Sequence, residues 1–427
     1  MMNYLRSFEK LFQMNTIGID FGTTNSAVAV FLEAEQRVIA SDYEGTLLYF
    51  EASDQQKFHI GQKAISNYLA NGLKGRFIRS VKSILHLSSF KYTNIYGKKY
   101  LAEDLVALVL SFLKQLGTDL AGAPCDRVVL GRPARFSPDP AQDKLAQDRL
   151  LRAAKLAGFK EVILQLEPVA AAFSYEHELR SEKLVLVGDL GGGTADFTIM
   201  HLSPNRGFQA NRMDDILGSS GVRVGGDDLD AGIAWHKVVR HLGLGLEYDS
   251  NQRGKYLPIP GHYFKRFCRW ENHFLLSTPS VIQEIEKYLE WTNGNQMISD
   301  FLAILKNNWG YPLFNAIENA KKSLSDRDNA TILFQKANIH ISEHLSLLEF
   351  QNIIAPQMQQ LTTCMDDLLE NSNLQAKDID AVFLTGGTSK VLAVRKLMEE
   401  KFGSNKIAQG DSFHSVAKGL ALQGRFA

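Results

Sequence analysis

The chain has 427 residues, 45% hydrophobic and 22% charged, and its 47 Lys plus Arg balance 47 Asp plus Glu. That length is too great for one compact core and implies two or three domains, while zero net charge removes the electrostatic case for nucleic acid or an anionic membrane as partner. Cys125, Cys268 and Cys364 are too few and too scattered for a disulfide framework or a zinc knuckle, which favours a reducing, cytoplasmic setting.

Residues 1–14 carry Leu5, Phe8, Leu11 and Phe12 at helical spacing, with Glu9 and Lys10 breaking any signal-peptide core. They read as a short amphipathic extension, or as sequence upstream of a start at Met14, and not as a targeting signal. No apolar run reaches the ~20 residues of a membrane span. The isoleucine-rich 15–21 and the apolar 26–32 flank Gly22-Thr23-Thr24-Asn25, which predicts strand, tight turn and strand. Residues 102–117 read as a helix, 127–131 as a buried strand and 141–158 as a helix ending at Gly158. A strand over 161–166 and a helix over 168–178, started by Pro168, follow. The strand–turn–strand pattern then returns as 183–189, Leu190-Gly191-Gly192-Gly193-Thr194 and 195–201. Asp189 lies 169 residues after Asp20, a whole-domain period that favours duplication over a solenoid. From about 242 to 310 the chain is aromatic, glycine-spotted and poorly periodic, as an insertion would be. Residues 380–384 read as a strand leading into Thr385-Gly386-Gly387-Thr388 and a helix that includes Arg395 and Lys396. Strands alternating with helices predict mixed α/β sheets with helices on their faces.

An aspartate that ends a buried strand before a small turn, as Asp20 does before Gly22-Thr23-Thr24, can hold a hydrated Mg²⁺ while N–H groups and hydroxyls face a phosphate. A hairpin turn with a capping aspartate has the same letters. Asp189-Leu190-Gly191-Gly192-Gly193-Thr194-Ala195-Asp196 is more specific, because three glycines at a strand end weaken a sheet unless something must approach the backbone closely. A strand rather than a helix follows, so this is not the dinucleotide pattern. Gly386-Gly387-Thr388 suits a ribose or α-phosphate at a helix N-terminus, or is a plain helix start. Glu318, Lys321, Lys322 and Ser325, at i, i+3, i+4 and i+7, share one helical face. Such a face grips ribose hydroxyls and covers an adenine, or is simply solvated. Lys82 is a basic group within Arg79-Ser80-Val81-Lys82-Ser83. Glu167 ends a buried strand, where sheet proteins place chemistry, or where an acid stabilises the next helix's dipole.

Taken in order, these segments resemble the ATPase domain of the DnaK-type (seventy-kilodalton heat-shock) chaperones. IGIDFGTTNSAVAV resembles that family's first phosphate motif, GDLGGGTADFTI its second and LEPVAAAFSYE its connecting motif. VGGDDLD resembles the segment before the lid, ENAKKSLS the adenosine helix and FLTGGTSKV the adenosine loop. The resemblance covers roughly 15 to 425 with 242–310 as a gap, and is closest to the short, YegD-like bacterial members that lack the peptide-binding domain. It implies an α/β, two-lobed actin-like ATPase fold, with duplicated ribonuclease-H-like domains, mixed sheets and inserted subdomains. Lobe I would span 15–182 and lobe II 183–427, with a lid subdomain at about 228–325 carrying the insertion.

The resemblance also implies ATP or ADP and Mg²⁺ as ligands. Gly22, Thr23, Thr24 and Asn25 would hold the β- and γ-phosphates, with Gly191, Gly192, Gly193 and Thr194 clamping from the other side. Gly225 and Gly226, before the lid, would also face the nucleotide. Asp20, Asp189 and Asp196 would order Mg²⁺ and its waters. Lys82 would contact the γ-phosphate and Glu167 would position the attacking water, with Asp189 and Thr194 as further catalytic groups. Glu318, Lys321, Lys322 and Ser325 would hold the adenosine, opposite Gly386, Gly387, Thr388 and Lys390. Slow hydrolysis by positioning and charge neutralisation is the implied reaction, with protein partners or co-chaperones beside ATP.

Several positions depart from that family. Asn25 stands where an aromatic residue is usual, and Lys322 where an arginine often stacks on adenine, so weaker ATP affinity is expected. GRPARF resembles a hinge that reports nucleotide state, with about six extra residues after it. Asp230 and Glu318 are 88 residues apart, which implies a remodelled lid. No acidic-hydrophobic linker or peptide-binding domain follows Ala427, so coupling of hydrolysis to peptide grip is not expected within this chain. Bacterial actin-type filament formers and small-molecule kinases share both phosphate motifs, and a nucleotide-binding pseudo-enzyme would carry them too. Lys390 after Gly-Gly-Thr-Ser and the long insertion favour the chaperone side.

Overall fold

The near-continuous apolar runs of this chain become sheet interiors, because strands covered on both faces need no polar alternation. The computed structural model describes residues 16–424 apart from 33–36, 43, 55–56, 177–178, 205–211, 250–253, 255, 271–272 and 409–413. The extension expected over 1–14 lies outside the described residues. Thr16–Phe21 pairs antiparallel with Asn25–Leu32, Phe21 opposite Ser26, which leaves Gly22-Thr23-Thr24 as the tight turn. Arg37–Ala40 adds an antiparallel strand on one side, and Arg127–Arg132 and Glu161–Leu166 add parallel strands on the other. The second sheet repeats this order. Lys183–Leu190 pairs antiparallel with Ala195–Leu202, and that strand pairs antiparallel with Ile216–Val222. Parallel strands Ala381–Thr385 and Ile407–Ala408 extend the opposite edge. Two antiparallel steps followed by two parallel ones occur in both sheets, so the whole-domain sequence period is a duplication in topology.

Helices Glu167–Glu176 and Ser415–Gly424 fill the space between the sheets. They join Val129 of the first sheet to Val187 and Phe383 of the second through Ala170, Phe173, Val416 and Leu420. The crossing is backbone-tight. A Cβ on Gly419 would lie 1.7 Å from the Ala170 carbonyl oxygen, and one on Gly18 would lie 2.3 Å from the Ala421 nitrogen.

Element ends differ slightly from the sequence expectations. Helix Ala102–Ala121 runs past 117 to a left-handed cap at Gly122, and helix Pro140–Leu156 stops short of Gly158. The Asp139 carboxylate caps that helix by accepting from the N–H groups of Ala141 and Gln142. Glu167 rather than Pro168 opens the next helix, described to Glu176, and Thr385 belongs to its strand.

The poorly periodic stretch 242–310, read as an insertion, holds a helical layer. After a short hairpin it holds Gly261–Phe267, His273–Leu276, Pro279–Trp291 and Gln296–Lys306. The helices are short, and turns such as Asn293-Gly294, both at positive φ, reset the phase and mask the period. Phe264, Phe267, Ile298, Phe301 and Leu305 join Leu313, Phe314 and Ile317 of helix Gly310–Ser323 in one core. The layer also reaches the first lobe. The Tyr68 hydroxyl donates to the Asn308 carbonyl at 3.2 Å, and Phe77 packs 5.1 Å from the Tyr311 ring. Among the described residues no helix is long and apolar enough to cross a membrane, and the three cysteines are buried and unbridged.

Candidate functional site

The two glycine turns, carried on equivalent strands of the two sheets, face each other. A Cβ on Gly192 would lie 1.9 Å from Thr24 Oγ1, and one on Gly193 3.4 Å from Thr23. Only glycine lets the second turn come this close to the first. Its backbone is pinned from behind. The N–H groups of Gly226 and Asp227 donate to the carbonyls of Gly191 and Gly192 at 3.1 and 2.8 Å. The Thr388 hydroxyl donates to the Gly191 carbonyl at 2.7 Å. Gly386 holds a φ of +81°, and a Cβ there would meet the Leu190 carbonyl at 2.2 Å. Thr46, which the sequence reading missed, pins the first turn. Its hydroxyl donates to the Gly22 carbonyl at 2.9 Å and its N–H to the Thr24 carbonyl at 2.8 Å. Thr24 Oγ1 is buried without a hydrogen-bond partner.

Lys82 sits in a single helical turn, Val81–Ile84, entered through Ser80 in the left-handed region. Its Nζ donates to Glu167 Oε1 at 2.8 Å, and both residues are buried, at 8% and 5% exposure. Burial alone would depress the lysine. Glu167, Asp20 and Asp189 more than compensate and hold the ammonium above its ordinary pKa. The carboxyls are pushed the other way. Burial, then repulsion from Glu167 and Asp189, raises Asp20 well above the usual range. Burial and Glu167 raise Asp189 to about 7. Asp196 is raised to about 8 by burial, then by Asp189 and Glu167.

Three carboxyl groups, those of Glu167, Asp20 and Asp189, thus act on one ammonium, with Asp196 paired opposite Asp189, an arrangement short of positive charge. Together with the unpartnered Thr24 hydroxyl, it fits a divalent cation and an anionic ligand. Among the described residues no three carboxylate, histidine or cysteine side chains converge as a complete metal cage. Mg²⁺ does not require one, because it keeps several waters and binds through one or two carboxylates and substrate phosphate oxygens.

One cleft of about 780 Å³ gathers almost every residue singled out from the sequence. Asp20, Gly22 to Asn25, Lys82, Glu167, Asp189 and Gly191 to Thr194 line one part of it. Gly226, Glu318, Lys321, Lys322, Ser325, Gly386 to Thr388 and Lys390 line the rest. Two expected residues lie outside the lining. Asp196 is 2% exposed and sits beneath the floor, and Gly225 packs behind the second turn, where a Cβ would meet the Gly192 carbonyl oxygen at 2.3 Å. Lys321 is a brace, donating to Asp230 at 2.8 Å and to the Gly226 carbonyl at 3.0 Å. The Lys322 side chain, 66% exposed, pairs with Glu318 at 2.9 Å.

Arg79 is the main lining residue that the sequence reading passed over. It reaches across the cleft to Glu318 at 3.5 Å and Asp227 at 3.9 Å. Although burial opposes it, Arg79 together with Lys322 and Lys321 holds the Glu318 carboxyl down at about 2. A charged residue ending the strand Arg76–Arg79 was the available signal, but a strand-end arginine looks solvated until its partners on the other lobe are known.

The family model described as Hsp70 protein matches residues 57–242 and 306–426. The chain belongs to the Hsp70 family. Its fold is accordingly the two-lobed, mixed α/β actin-like architecture. The match skips 243–305, the span that holds the short helices of the added layer, and it begins after the first glycine turn. That turn enters the cleft through geometry, by its contact with Gly192.

The carboxyl cluster sets a pH dependence for the nucleotide-free protein. The folded pKa values of Asp189 and Asp196, about 7 and about 8, lie above the unfolded value near 4. The folded state therefore holds the extra protons, and the stabilisation they give is complete below pH ~4 and lost as pH rises through 7 to 8. Denaturant titrations of the metal-free Hsp70-family chain at pH 7 and pH 9 should differ by on the order of 1–2 kcal/mol in favour of pH 7. Asp196→Asn should flatten that slope; equal slopes in both proteins would contradict the burial argument.

Proposed function

We propose that this chain binds ATP as its Mg²⁺ complex in the cleft and hydrolyses it slowly, acting as a chaperone-related or regulatory ATPase. The observation that carries this reading is the direct facing of the two glycine turns, Gly192 against Thr24, beside the buried Lys82–Glu167 pair. In this reading Gly22, Thr23, Thr24 and Asn25 hold the β- and γ-phosphates from one lobe, and Gly191, Gly192, Gly193 and Thr194 hold them from the other. Lys82 neutralises charge on the transferred phosphoryl group, and Glu167 orients the attacking water while keeping Lys82 in place. Asp20 and Asp189 would hold Mg²⁺, which would supply charge neutralisation at the phosphates. Asp196, paired opposite Asp189 across the two strands, lies beneath the floor, where burial and the charges of Asp189 and Glu167 raise it to about 8. Glu318, Lys322 and Ser325 face Gly386, Gly387, Thr388 and Lys390 across the adenosine, with Lys321 fixing the wall. A volume of about 780 Å³ suits a nucleoside triphosphate. Lobe I spans 15–182 and lobe II 183–427, with a lid at about 228–325. The interruption of the family match at 243–305 supports reading the helical layer as an insertion into that lid.

Calorimetric titration of ATP with and without Mg²⁺, followed by a turnover assay on the same sample, tests the proposal. Saturable binding that strengthens at least tenfold with Mg²⁺, and slow phosphate release, are expected. Absence of ATP binding would sink the reading. Binding without phosphate release would leave a nucleotide-binding pseudo-enzyme. ATP-dependent pelleting that rises with concentration would transfer the chain to filament formers. Phosphate transfer stimulated by a sugar would make it a kinase.

A further inference from the structure

The segment that follows Lys82 has little structure of its own. After the turn Val81–Ile84 its backbone runs through single turns, with Leu85 N–H to Lys82, Leu87 N–H to Ile84 and Phe90 N–H to Leu87 at 3.1–3.2 Å. Such isolated turns are weak holders of position. One side chain supplies the missing hold. Arg149, on helix Pro140–Leu156, donates from Nη1 to the carbonyls of Ile84, Leu85 and Leu87 at 3.3, 2.9 and 3.0 Å. Its Nη2 donates to the Phe90 carbonyl at 3.1 Å. Its Nε lies 3.8 Å from Glu103 on the neighbouring helix. Four carbonyls from one short segment converge on one rigid, planar guanidinium. Lysine cannot reproduce this, because it presents a point charge on a flexible stem.

The same segment is held from the opposite lobe. Arg223 follows strand Ile216–Val222 and stands two residues before Gly225, which packs behind the second glycine turn. Its Nη1 lies 2.9 Å from His86 Nε2. Guanidinium can only donate, so His86 accepts with an unprotonated Nε2. Burial, then the charges of Arg223 and Arg149, keep this imidazole neutral by pushing it down to about 4.

We propose that Arg149 is a positioning residue for Lys82, and that the Arg223–His86 contact registers the Lys82 segment against the second glycine turn. The proposal rests on the reading that Lys82 acts on the transferred phosphate. Arg149 touches no cleft atom; it acts by making the backbone from 84 to 90 a fixed base for the lysine. Its removal should therefore cost rate and not ground-state binding, because an imprecisely placed cation still attracts a phosphate but misses the transition-state geometry.

The test compares Arg149→Lys, Lys82→Ala and their double variant in the full chain. Arg149→Lys should lower kcat for ATP at least tenfold, with KM and ADP affinity within threefold of the parent. Amide hydrogen exchange over 84–91 should quicken at least tenfold, while helix Ala102–Ala121 keeps its protection. The double variant should be no slower than Lys82→Ala alone. Parental kcat in Arg149→Lys beside an inactive Lys82→Ala would overturn this proposal and leave the ATPase reading standing. Unchanged exchange, or an additive loss in the double variant, would also overturn it. Parental kcat in Lys82→Ala would overturn both. Should Arg149→Lys not fold, Arg223→Gln provides the second arm: about fivefold lower kcat with faster exchange at 85–88 supports the proposal, and parental values contradict it.

Discussion

Replacing Lys82 with alanine is expected to lower ATP turnover by a factor of about 10²–10³ while leaving ADP affinity within a few-fold. The ammonium is held charged by Glu167, Asp20 and Asp189 in a buried site, where a fixed charge needs no reorganisation when phosphate charge redistributes. Its effect therefore belongs to the transition state, and a lost interaction of that kind appears in kcat and not in KM. The substitution also strands Glu167, 5% exposed and 2.8 Å from the missing Nζ. Breaking one side of a buried pair costs about 3–5 kcal/mol of stability, so a fall in Tm must accompany the variant. The double variant Lys82→Ala with Glu167→Gln isolates the stability effect, because it removes the stranded charge. It should recover most of the stability and none of the turnover. Steady-state phosphate release and differential scanning calorimetry on the same samples decide the matter; parental turnover in folded Lys82→Ala would remove Lys82 from the chemistry.

The second large effect concerns a residue with no chemistry. Gly419→Val should destabilise the chain by at least about 3 kcal/mol and abolish measurable nucleotide binding. A Cβ at 419 would sit 1.7 Å from the Ala170 carbonyl oxygen, with the Ala170 carbonyl carbon at 2.5 Å, and backbone cannot swing aside as a flexible side chain does. Helix Ser415–Gly424 would have to move away from helix Glu167–Glu176. Both helices contribute to the apolar layer between the two sheets, and Glu167, the Lys82 partner, heads one of them. Displacement of that layer changes the spacing of the two glycine turns. Gly261→Ala is the control, because a Cβ there meets nothing within 4 Å. Chemical denaturation and ATP calorimetry on both variants check the expectation. A Gly419→Val protein with parental stability would mean that the helices are not held at this crossing.

Much of the fold is legible locally. Apolar runs of strand length, bounded by glycine turns, became the paired strands Thr16–Phe21 with Asn25–Leu32 and Lys183–Leu190 with Ala195–Leu202. The helical layer after 242 was not legible, since its short helices offer too few turns for a period to stand out from aromatic noise. In the site, glycine turns and strand-end acids were visible because few other purposes demand three glycines at a strand end. Arg79, Thr46, Arg149 and Arg223 were not. Each acts through a partner distant in sequence, such as Glu318 for Arg79 at 239 positions' separation, and nothing in the local letters marks such a partner.

The sequence by itself determined the duplication, the two glycine turns and the identity of most residues that line the cleft, because these depend on local backbone demands. Tertiary structure alone decided which lobe supplies each restraint. It also decided that Lys82 is paired with Glu167, that Lys321 is a brace, and that Asp196 lies beneath the floor. Those outcomes depend on burial and on charges brought together from remote parts of the chain, and neither quantity exists until the two sheets are packed.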